Sequence, residues 1–271
     1  MTPSTISVLG CGWLGFPLAI ALRQSGYALN GSVISQDKFP ALQQAGIAPY
    51  LLHSQPPING SRIREFFDAN VLVVTIPFKR DLPDPTVYFR QLDAVVEQMD
   101  NAKTAFVIFT SSTSIYPDSM ADAIEEAEFL PDNPRAQVLW DIEESLLSSQ
   151  SFDATIVRLA GLYGPDRPIG KFLAGKRGLD DADRPVNLIH RDDAVAVIQK
   201  IIMQDIRGEV FNACSDGHPS RRDLYTKAAI RMNLPPPVFT HSPGGRCKVV
   251  NNRKIKERLN YQFQHPDPMD L

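Results

Sequence analysis

The sequence predicts an α/β protein with a doubly wound parallel sheet and a small C-terminal substrate lobe. Short apolar runs alternate with helical patterns as far as about residue 160, which is typical of parallel strands that helices cover on both faces. The first strand runs directly into a glycine-rich turn, Gly10-Cys11-Gly12-Trp13-Leu14-Gly15, that opens an apolar helix. Two later strands end in Thr75-Ile76-Pro77 and in Thr110-Ser111-Ser112-Thr113. Ligands bind at the carboxyl ends of the strands in such sheets.

Each predicted element rests on a local signal. The strand over 6–9 is short and apolar, and the helix over 14–24 has Pro17 in its first turn and ends at Gly26. The strand over 71–76 is rich in β-branched residues and ends at Pro77. The remaining strands are predicted over 29–34, 49–52, 105–109, 154–159 and 209–213, and the remaining helices over 38–44, 63–69, 88–99, 138–147, 193–203, 222–232 and 253–259.

A change of composition after residue 160 sets the predicted domains. The segment 161–185 is rich in Gly, Pro, Arg and Asp, and loops of that kind carry function. We therefore predict a dinucleotide-binding core over 1–165 and a smaller substrate lobe over 166–271. A part of the lobe, about 186–213, is expected to return to the core.

Composition and charge are those of a soluble globular enzyme. Of the 271 residues, 43% are hydrophobic and 22% are charged, and the formal net charge is −3. That charge gives no basic field for nucleic acid or an anionic membrane, and no apolar run is long enough to span a bilayer. Neither nucleic acid nor a membrane is therefore an expected partner. Because no targeting signal is recognisable, the cytoplasm is the expected compartment.

Cysteine and histidine usage predicts neither disulfides nor a metal site. Cys11, Cys214 and Cys247 are odd in number and far apart, and the five histidines include no pair at helical i, i+4 spacing. Cys11 lies within the glycine turn, where a small residue packs well, so we interpret it as a packing residue. No metal ion is expected.

The glycine turn is predicted to bind the pyrophosphate of a nicotinamide dinucleotide. Gly10 permits the tight turn, Gly12 lets the backbone approach the phosphates, and Gly15 lets the helix pack closely on the strand. The first amides of a helix lack partners within it, so they attract an anion with help from the helix dipole. The open alternative is a glycine-rich turn without a ligand. The predicted cofactor-binding residues are Gly10, Gly12, Trp13, Leu14, Gly15, Ser32, Ser35, Thr75, Ile76, Pro77, Thr110 and Ser111.

The stretch that follows the second strand bears on the choice between NAD and NADP. An acidic residue there bonds the ribose diol of NAD, and a basic residue accommodates the 2′-phosphate of NADP. The usual position holds neither, whereas Ser32, Ser35 and Lys38 suit a phosphate. We therefore predict NAD(P) as the cofactor, with a preference for NADP, and interpret Asp37 as a helix-start residue.

Four segments resemble the extended and atypical short-chain dehydrogenase/reductase superfamily, in its NAD-dependent epimerase/dehydratase group. They are 109–116 (FTSSTSIY), 157–165 (VRLAGLYGP), 186–194 (VNLIHRDDA) and 210–213 (VFNA). With the glycine turn, the matches run in family order across about four fifths of the chain. The resemblance implies a Rossmann fold, a nicotinamide cofactor and an oxidoreductase or epimerase-type reaction. Its substrate would be a small polar carbonyl or alcohol, phosphorylated and nucleotide-linked compounds included.

The same resemblance implies catalytic residues and exposes one departure. In the family, a Ser or Thr four residues before the strand-five Tyr bonds the reacting oxygen, and Ser112 and Tyr116 take these places. Family members also carry Tyr-x-x-x-Lys on the next helix, where the Lys lowers the pKa of the Tyr phenol. That helix here reads RAQVLWDIEE over 135–144 and holds no such pair. Anchoring on Glu143 or Glu144 puts Arg135 and Leu139, or Ala136 and Trp140, at the two positions.

Two interpretations of the missing pair stay open. Another acid supplies the proton, the candidates being Tyr116, Tyr163, Lys171, His190 and Asp192. Alternatively, the fold has kept its cofactor and lost catalysis, which makes the protein an NAD(P)-binding sensor or interaction protein.

The segments after residue 160 are predicted to supply substrate contacts. Tyr163, Arg167 and Lys171 are the predicted substrate-binding residues, since cations can hold an anionic group; a solvated basic face is the competing interpretation. The basic stretch from Arg246 to Arg258 is assigned to the substrate lobe. The resemblance also implies a homodimer formed through helices beside the sheet.

Overall fold

The computed structural model describes residues 4–79, 82–99, 102–240 and 247–270, and it contains the predicted alternation of strands and helices. Strands β1 to β10 span Thr5–Leu9, Ala28–Val33, Ala48–His53, Asn59–Gly60, Val71–Val74, Phe106–Ser112, Asp153–Leu159, Gly161–Tyr163, Leu188–His190 and Val210–Ala213. Helices α1 to α8 span Gly15–Gln24, Phe39–Gln44, Ile63–Phe67, Thr86–Met99, Pro134–Leu147, Arg191–Met203, Arg221–Arg231 and Arg253–Leu259.

The main sheet has eight strands in the order β10-β7-β6-β5-β1-β2-β3-β4. The pairs β1–β2, β1–β5, β2–β3 and β5–β6 are parallel, and the short β4 is antiparallel to β3. The predicted α/β doubly wound fold is thereby confirmed. Strand β1 lies between β2 and β5. After β1 the chain adds β2, β3 and β4 on one side of the sheet, and it then adds β5, β6 and β7 on the other side. The glycine turn therefore lies at the topological switch point, where open α/β sheets bind their ligands.

Burial explains why these runs form central strands. All four residues of β5 are buried, as are Ile6 and Val8 of β1. A strand covered on both faces needs apolar side chains on both, which gives a continuous apolar run rather than an alternating one.

Helix α5 begins earlier than the sequence predicts. The helix begins at Pro134, four residues before the predicted start at 138. The Asn133 side chain caps it by accepting hydrogen bonds from the backbone N–H groups of Arg135 and Ala136. Asn at the N-cap followed by Pro is a helix-start signal, and it brings Arg135 into the first turn.

The chain divides into two compact units. The first comprises 1–111, 133–157 and 198–210, and the second comprises 112–132, 158–197 and 211–271. The predicted domain bounds, 1–165 and 166–271, stay a prediction. Among the helices of the described residues, none is both long enough and apolar enough to cross a membrane.

Strands β8 and β9 form a parallel pair in the second unit. An apolar cluster there contains Tyr163, Ile169, Val186, Leu188, Leu224 and Ala228. The C-terminal residues are tied to the start of α6 by Asp193, whose side chain is 0% exposed. Its carboxylate accepts hydrogen bonds from the Tyr261 hydroxyl at 2.6 Å and from the backbone N–H groups of Gln264 and His265 at 2.7 and 3.0 Å.

Candidate nucleotide-binding and catalytic sites

The glycine turn is hydrogen-bonded to Ser32 of the second strand. The backbone N–H of Gly10 donates to the Ser32 hydroxyl at 2.9 Å, and that of Cys11 donates to the Ser32 carbonyl at 2.8 Å. Ser32 is only 2% exposed. Its hydroxyl therefore supports the turn, and it does not face a 2′-phosphate as the sequence predicted.

The three glycines of the turn meet different surroundings. Gly10 has φ +103°, a conformation that L side chains rarely adopt. A Cβ at Gly15 would clash with the Gly10 carbonyl oxygen and lie 2.6 Å from the Thr75 hydroxyl, so Gly15 allows α1 to approach the sheet. A Cβ at the exposed Gly12 would meet only the Gly10 oxygen, at 4.0 Å. The backbone at Gly12 thus faces open space at the beginning of α1.

The other residues of the turn, Cys11, Trp13 and Leu14, are partly or fully buried within the first unit. Leu14 is buried at the N-cap of α1, and Trp13 is half-buried. The Cys11 sulfur would lie only 2.8 Å from a Cβ at Gly31, and burial raises the pKa of its thiol to about 12. A thiol held in the protonated form is a poor nucleophile, which agrees with the packing interpretation.

The segment after β5 is fixed beside the turn. The Thr75 hydroxyl bonds the carbonyl oxygens of Leu9 and Gly10, at 3.2 and 2.8 Å. The Ile76 carbonyl accepts from the hydroxyl of Tyr88 at 2.8 Å. Thr75 and Gly10, both predicted from sequence to be site residues, are therefore brought together.

Arg135 fastens the same segment from α5. Its guanidinium lies 3.7 Å from the centroid of the Phe78 ring and donates to the carbonyls of Phe78 and Lys79 at 3.1 and 2.9 Å. Phe78 stacks in turn on Tyr88, with ring centroids 4.4 Å apart and planes 7° apart. Arginine suits this place because its planar group stacks on a ring and donates in its own plane. The sequence identified the position of Arg135 but not this role.

The carboxyl end of β6 is also internally bonded. The Thr110 hydroxyl donates to the Val74 carbonyl at 2.9 Å, and the Ser111 hydroxyl donates to Glu143 at 2.5 Å. Glu143 is 2% exposed, whereas Glu144 is exposed. The hydroxyl of Ser111 is thus engaged inside the first unit, and it supports the strand end rather than facing a ligand.

Residues after β2, and Pro77 after β5, are more open to a ligand. Pro77 and Ser35 are exposed, and Ile34 is 74% exposed at the strand end. Asp37 pairs with Lys38 at 3.8 Å, and a hydrogen bond from Ser35 lowers the pKa of the Asp37 carboxyl. Lys38 therefore already has one anionic neighbour.

Ser112 begins the short turn that follows β6 in the second unit. Its hydroxyl oxygen accepts a hydrogen bond from the backbone N–H of Ser114 at 3.1 Å. A hydroxyl that accepts in this way keeps its own proton for donation. Ser112 is half-buried, and both its structural role and the predicted catalytic role remain chemically compatible with this position.

Tyr116, the second predicted catalytic residue, lies inside a buried polar cluster. Its side chain is 1% exposed, its hydroxyl donates to Asn212 at 2.9 Å, and Arg158 donates to that hydroxyl at 2.6 Å. Burial raises the pKa of Tyr116 to about 12 despite the nearby Arg158. Because the hydroxyl has no exposed face and holds two partners, this geometry opposes a role in proton transfer. The Tyr116 side chain instead joins the residues after β6 to Arg158 and Asn212.

The predicted substrate residues do not share one environment. Tyr163 is buried in the apolar cluster, and burial raises the pKa of its hydroxyl to about 12. Arg167 and Lys171 are exposed. The side chains of Arg167 and Lys171 are thus accessible to a ligand, whereas the Tyr163 ring is part of the buried apolar cluster.

The basic stretch near the C-terminus is largely neutralised by acidic partners. Lys248 pairs with Asp118 at 2.9 Å, Lys254 with Glu126 at 3.2 Å and Lys256 with Asp216 at 2.9 Å. Arg246, which the sequence groups with these residues, lies outside the described part of the chain. These three ion pairs join the basic stretch to acidic residues of the second unit.

Sequence reasoning missed one cluster. The rings of His190 and His265 lie 3.7 Å apart between centroids, beside Asp192. Burial and the neighbouring His265 lower the pKa of His190. No spacing rule joins residues 190 and 265, because the Asp193 bonds that bring the C-terminal segment here are tertiary.

The chain has extensive similarity to a curated protein. No family model matches the sequence. The chain is 33% identical to the protein YeeZ of Escherichia coli K12 over 267 residues, which cover 97% of each chain, and the figures for YeeZ of E. coli O157:H7 are the same. The chain belongs to the YeeZ family.

Solved structures with lower identity share its fold. A functionally unknown conserved protein from Silicibacter pomeroyi is 24% identical, with a TM-score of 0.78 and coverage of 98% of this chain and 95% of that one. A short-chain dehydrogenase/reductase superfamily protein from Agrobacterium tumefaciens with bound NAD is 16% identical, with a TM-score of 0.76 over 96% and 92%. UDP-glucuronic acid 4-epimerase from Bacillus cereus, in complex with UDP-glucuronic acid and NAD, is 18% identical, with a TM-score of 0.78 over 98% and 96%. The predicted resemblance to the epimerase-like short-chain dehydrogenase/reductase fold is confirmed.

Proposed function

We propose that this YeeZ-family protein binds NAD(P) at the Gly10–Gly15 turn and uses it in an oxidoreductase or epimerase-type reaction. The observation that carries the proposal is the open backbone at Gly12, where the turn meets the start of α1 at the switch point of the sheet. A diphosphate fits such a place because amide groups and the helix dipole both favour an anion. Leu14, at the N-cap, has no side-chain oxygen that could occupy those amides.

The residues around the turn divide the work of holding the cofactor. The Gly12 N–H already donates to the Gly10 carbonyl at 2.7 Å. The amides that follow Gly12 would therefore contact the phosphates, and Ser32, Thr75 and Arg135 hold the surrounding backbone. Ser35 and Lys38 would approach the adenosine ribose. Their hydroxyl and ammonium groups favour NADP, and the Asp37 carboxylate competes for Lys38. The bound nicotinamide would supply or accept hydride.

Ser112 is the residue we propose for orienting the substrate oxygen. Its hydroxyl proton can donate to a carbonyl or alcohol oxygen without bringing a charge into the site. The exposed Arg167 and Lys171 would hold an anionic part of the substrate, such as a phosphate or nucleotide diphosphate. The substrate class is therefore a small polar carbonyl or alcohol carrying an anionic group.

Calorimetry and turnover assays test the two halves of this proposal. Purified protein is titrated with NAD⁺, NADH, NADP⁺ and NADPH, and then assayed against carbonyl compounds and UDP-sugars. We expect saturable binding, tighter for NADPH than for NADH, and turnover that Ser112→Ala reduces while Ser114→Ala does not. Ser114 is a suitable control because it lies in the same turn with an exposed side chain. Absence of binding by all four nucleotides would refute the cofactor site.

A second candidate function is cofactor binding without catalysis. The buried Glu143 shares its helix face with Arg135 and Leu139. By resemblance, either this pair or Ala136 and Trp140 stands where the similar enzymes have Tyr and Lys. Leu139 is buried, and Arg135 is bonded to backbone. Tight nucleotide binding with no turnover on any substrate would favour this candidate. Turnover that depends on Ser112 would exclude it. The homodimer stays a prediction, and light scattering in solution tests it.

A further inference from the structure

Three potential metal ligands meet in the second unit, remote in sequence from the glycine turn. His190 ends β9, Asp192 lies in the first turn of α6, and His265 belongs to the C-terminal segment. One ligand atom from each side chain lies within 4.8 Å of the other two. We propose that His190, Asp192 and His265 bind a divalent transition-metal ion, with Zn²⁺ as the best match. This inference does not rest on the proposed cofactor function.

The backbone positions of the three side chains are fixed by the fold. Buried Asp193 accepts the backbone N–H of His265 at 3.0 Å, which holds that residue beside the start of α6. The ring of His190 makes an edge-to-face contact with the ring of Tyr163, and the two ring centroids are 5.1 Å apart. A site on such supports loses little freedom when an ion binds, which favours affinity.

The distances suit a small ion after a slight contraction. His190 Nδ1 lies 3.7 Å from Asp192 Oδ2. Bonds of about 2.0–2.1 Å in a tetrahedral site place two ligand atoms about 3.4 Å apart. The other carboxylate oxygen, Oδ1, is already bonded to Arg191 Nε at 3.3 Å, so Oδ2 is the one directed at His190. Two imidazoles and one carboxylate form a common zinc ligand set that leaves a fourth position for water.

The competing interpretation is a stacked pair of rings with no ion. His190 Nδ1 accepts the backbone N–H of Asp192 at 3.3 Å, a long hydrogen bond that a metal at this nitrogen would replace. Arg191 also contributes a positive charge next to Asp192. Both features lower the affinity for a cation, and direct measurement of binding decides between the two interpretations.

The test is a zinc titration of the full chain after removal of bound metal with a chelator. We expect one Zn²⁺ per chain by calorimetry, and a higher midpoint of thermal unfolding when Zn²⁺ is added, because the ion ties the C-terminal segment to α6. Co²⁺ in place of Zn²⁺ should give visible absorption bands with the intensity of a four-coordinate site.

Two variants and one control localise the site. His265→Ala and Asp192→Asn should each weaken Zn²⁺ binding by at least about ten-fold and abolish the thermal shift. Asp192→Asn conserves shape, so it guards against loss of binding through misfolding. His53→Ala, in β3 of the first unit, should bind as the wild type does. The proposal is overturned if the wild type binds no Zn²⁺ near one equivalent, or if His265→Ala and Asp192→Asn bind it unchanged.

Discussion

Two alanine substitutions in the glycine turn should separate ligand binding from folding. Both add the same methyl group, but they add it at different places. At Gly15 the new Cβ would overlap the Gly10 carbonyl and lie 2.6 Å from the Thr75 hydroxyl, whereas at Gly12 the nearest atom is 4.0 Å away. Only the methyl at Gly12 projects into the space where we place the diphosphate.

The magnitudes follow from these distances. Overpacking of a tight contact costs about 1–3 kcal/mol, so Gly15→Ala should lower the midpoint of thermal unfolding by about 3–10 °C. Gly12→Ala meets no clash and should leave the free energy of unfolding within about 0.5 kcal/mol of the wild type. It should nevertheless weaken NAD(P) binding by about ten-fold or more, equivalent to at least about 1.4 kcal/mol.

Thermal unfolding without nucleotide and calorimetry with nucleotide measure the two effects. The expected pattern is a stable Gly12→Ala that binds poorly and an unstable Gly15→Ala. Wild-type affinity in Gly12→Ala would contradict the assignment of the phosphate site. Destabilisation of Gly12→Ala equal to that of Gly15→Ala would contradict the geometry on which the reasoning depends.

Three further substitutions test the surrounding structure. Tyr116→Phe removes the hydroxyl to which Arg158 donates and should cost about 1–3 kcal/mol in denaturant unfolding; unchanged stability with lost turnover would instead restore a catalytic role. Arg135→Ala removes the stack on Phe78 and two hydrogen bonds. It should therefore destabilise the protein by about 1–2 kcal/mol and weaken nucleotide binding. If the variant binds nucleotide as tightly as the wild type does, the segment that Arg135 holds is not part of the site. Burial lowers the pKa of His218 from 6.5, so the folded state resists its protonation and stability should fall as pH drops below that value; His218→Gln should flatten this decline, and an unchanged pH profile would contradict it.

Local patterns predicted the sheet because each strand carries its own signal. The β-branched run at Val71–Val74 and the glycine turn depend on neighbours within a few residues, and the structure has both in the predicted order. Element ends were less predictable. The start of α5, for example, depends on the single side chain of Asn133, which caps the helix and brings Arg135 into it.

The roles of single polar residues could not be predicted, since they depend on contacts between distant segments. Ser32 was assigned to a phosphate from its place after the second strand, but its hydroxyl is taken by Gly10. Tyr116 was assigned to catalysis from a motif, but Asn212, almost one hundred residues later, holds its hydroxyl inside the second unit. A motif fixes where a residue stands along the chain, and tertiary partners decide whether its functional group is free to react.

In the proposed function, cofactor binding and catalysis would rest on different residues. The proposed diphosphate site uses the backbone around Gly12 and the first turn of α1. Helix α5 supports that region through Arg135, which donates to the Phe78 and Lys79 carbonyls, so substitutions elsewhere on α5 should leave nucleotide binding unchanged. Proton transfer needs an ionisable group near the substrate. The resemblance puts Arg135 and Leu139, or Ala136 and Trp140, at the positions where the similar enzymes have Tyr and Lys. A fold can therefore keep its ligand while its chemistry changes. For this reason nucleotide binding alone does not establish an enzyme, and only turnover that Ser112→Ala reduces while Ser114→Ala preserves it would do so.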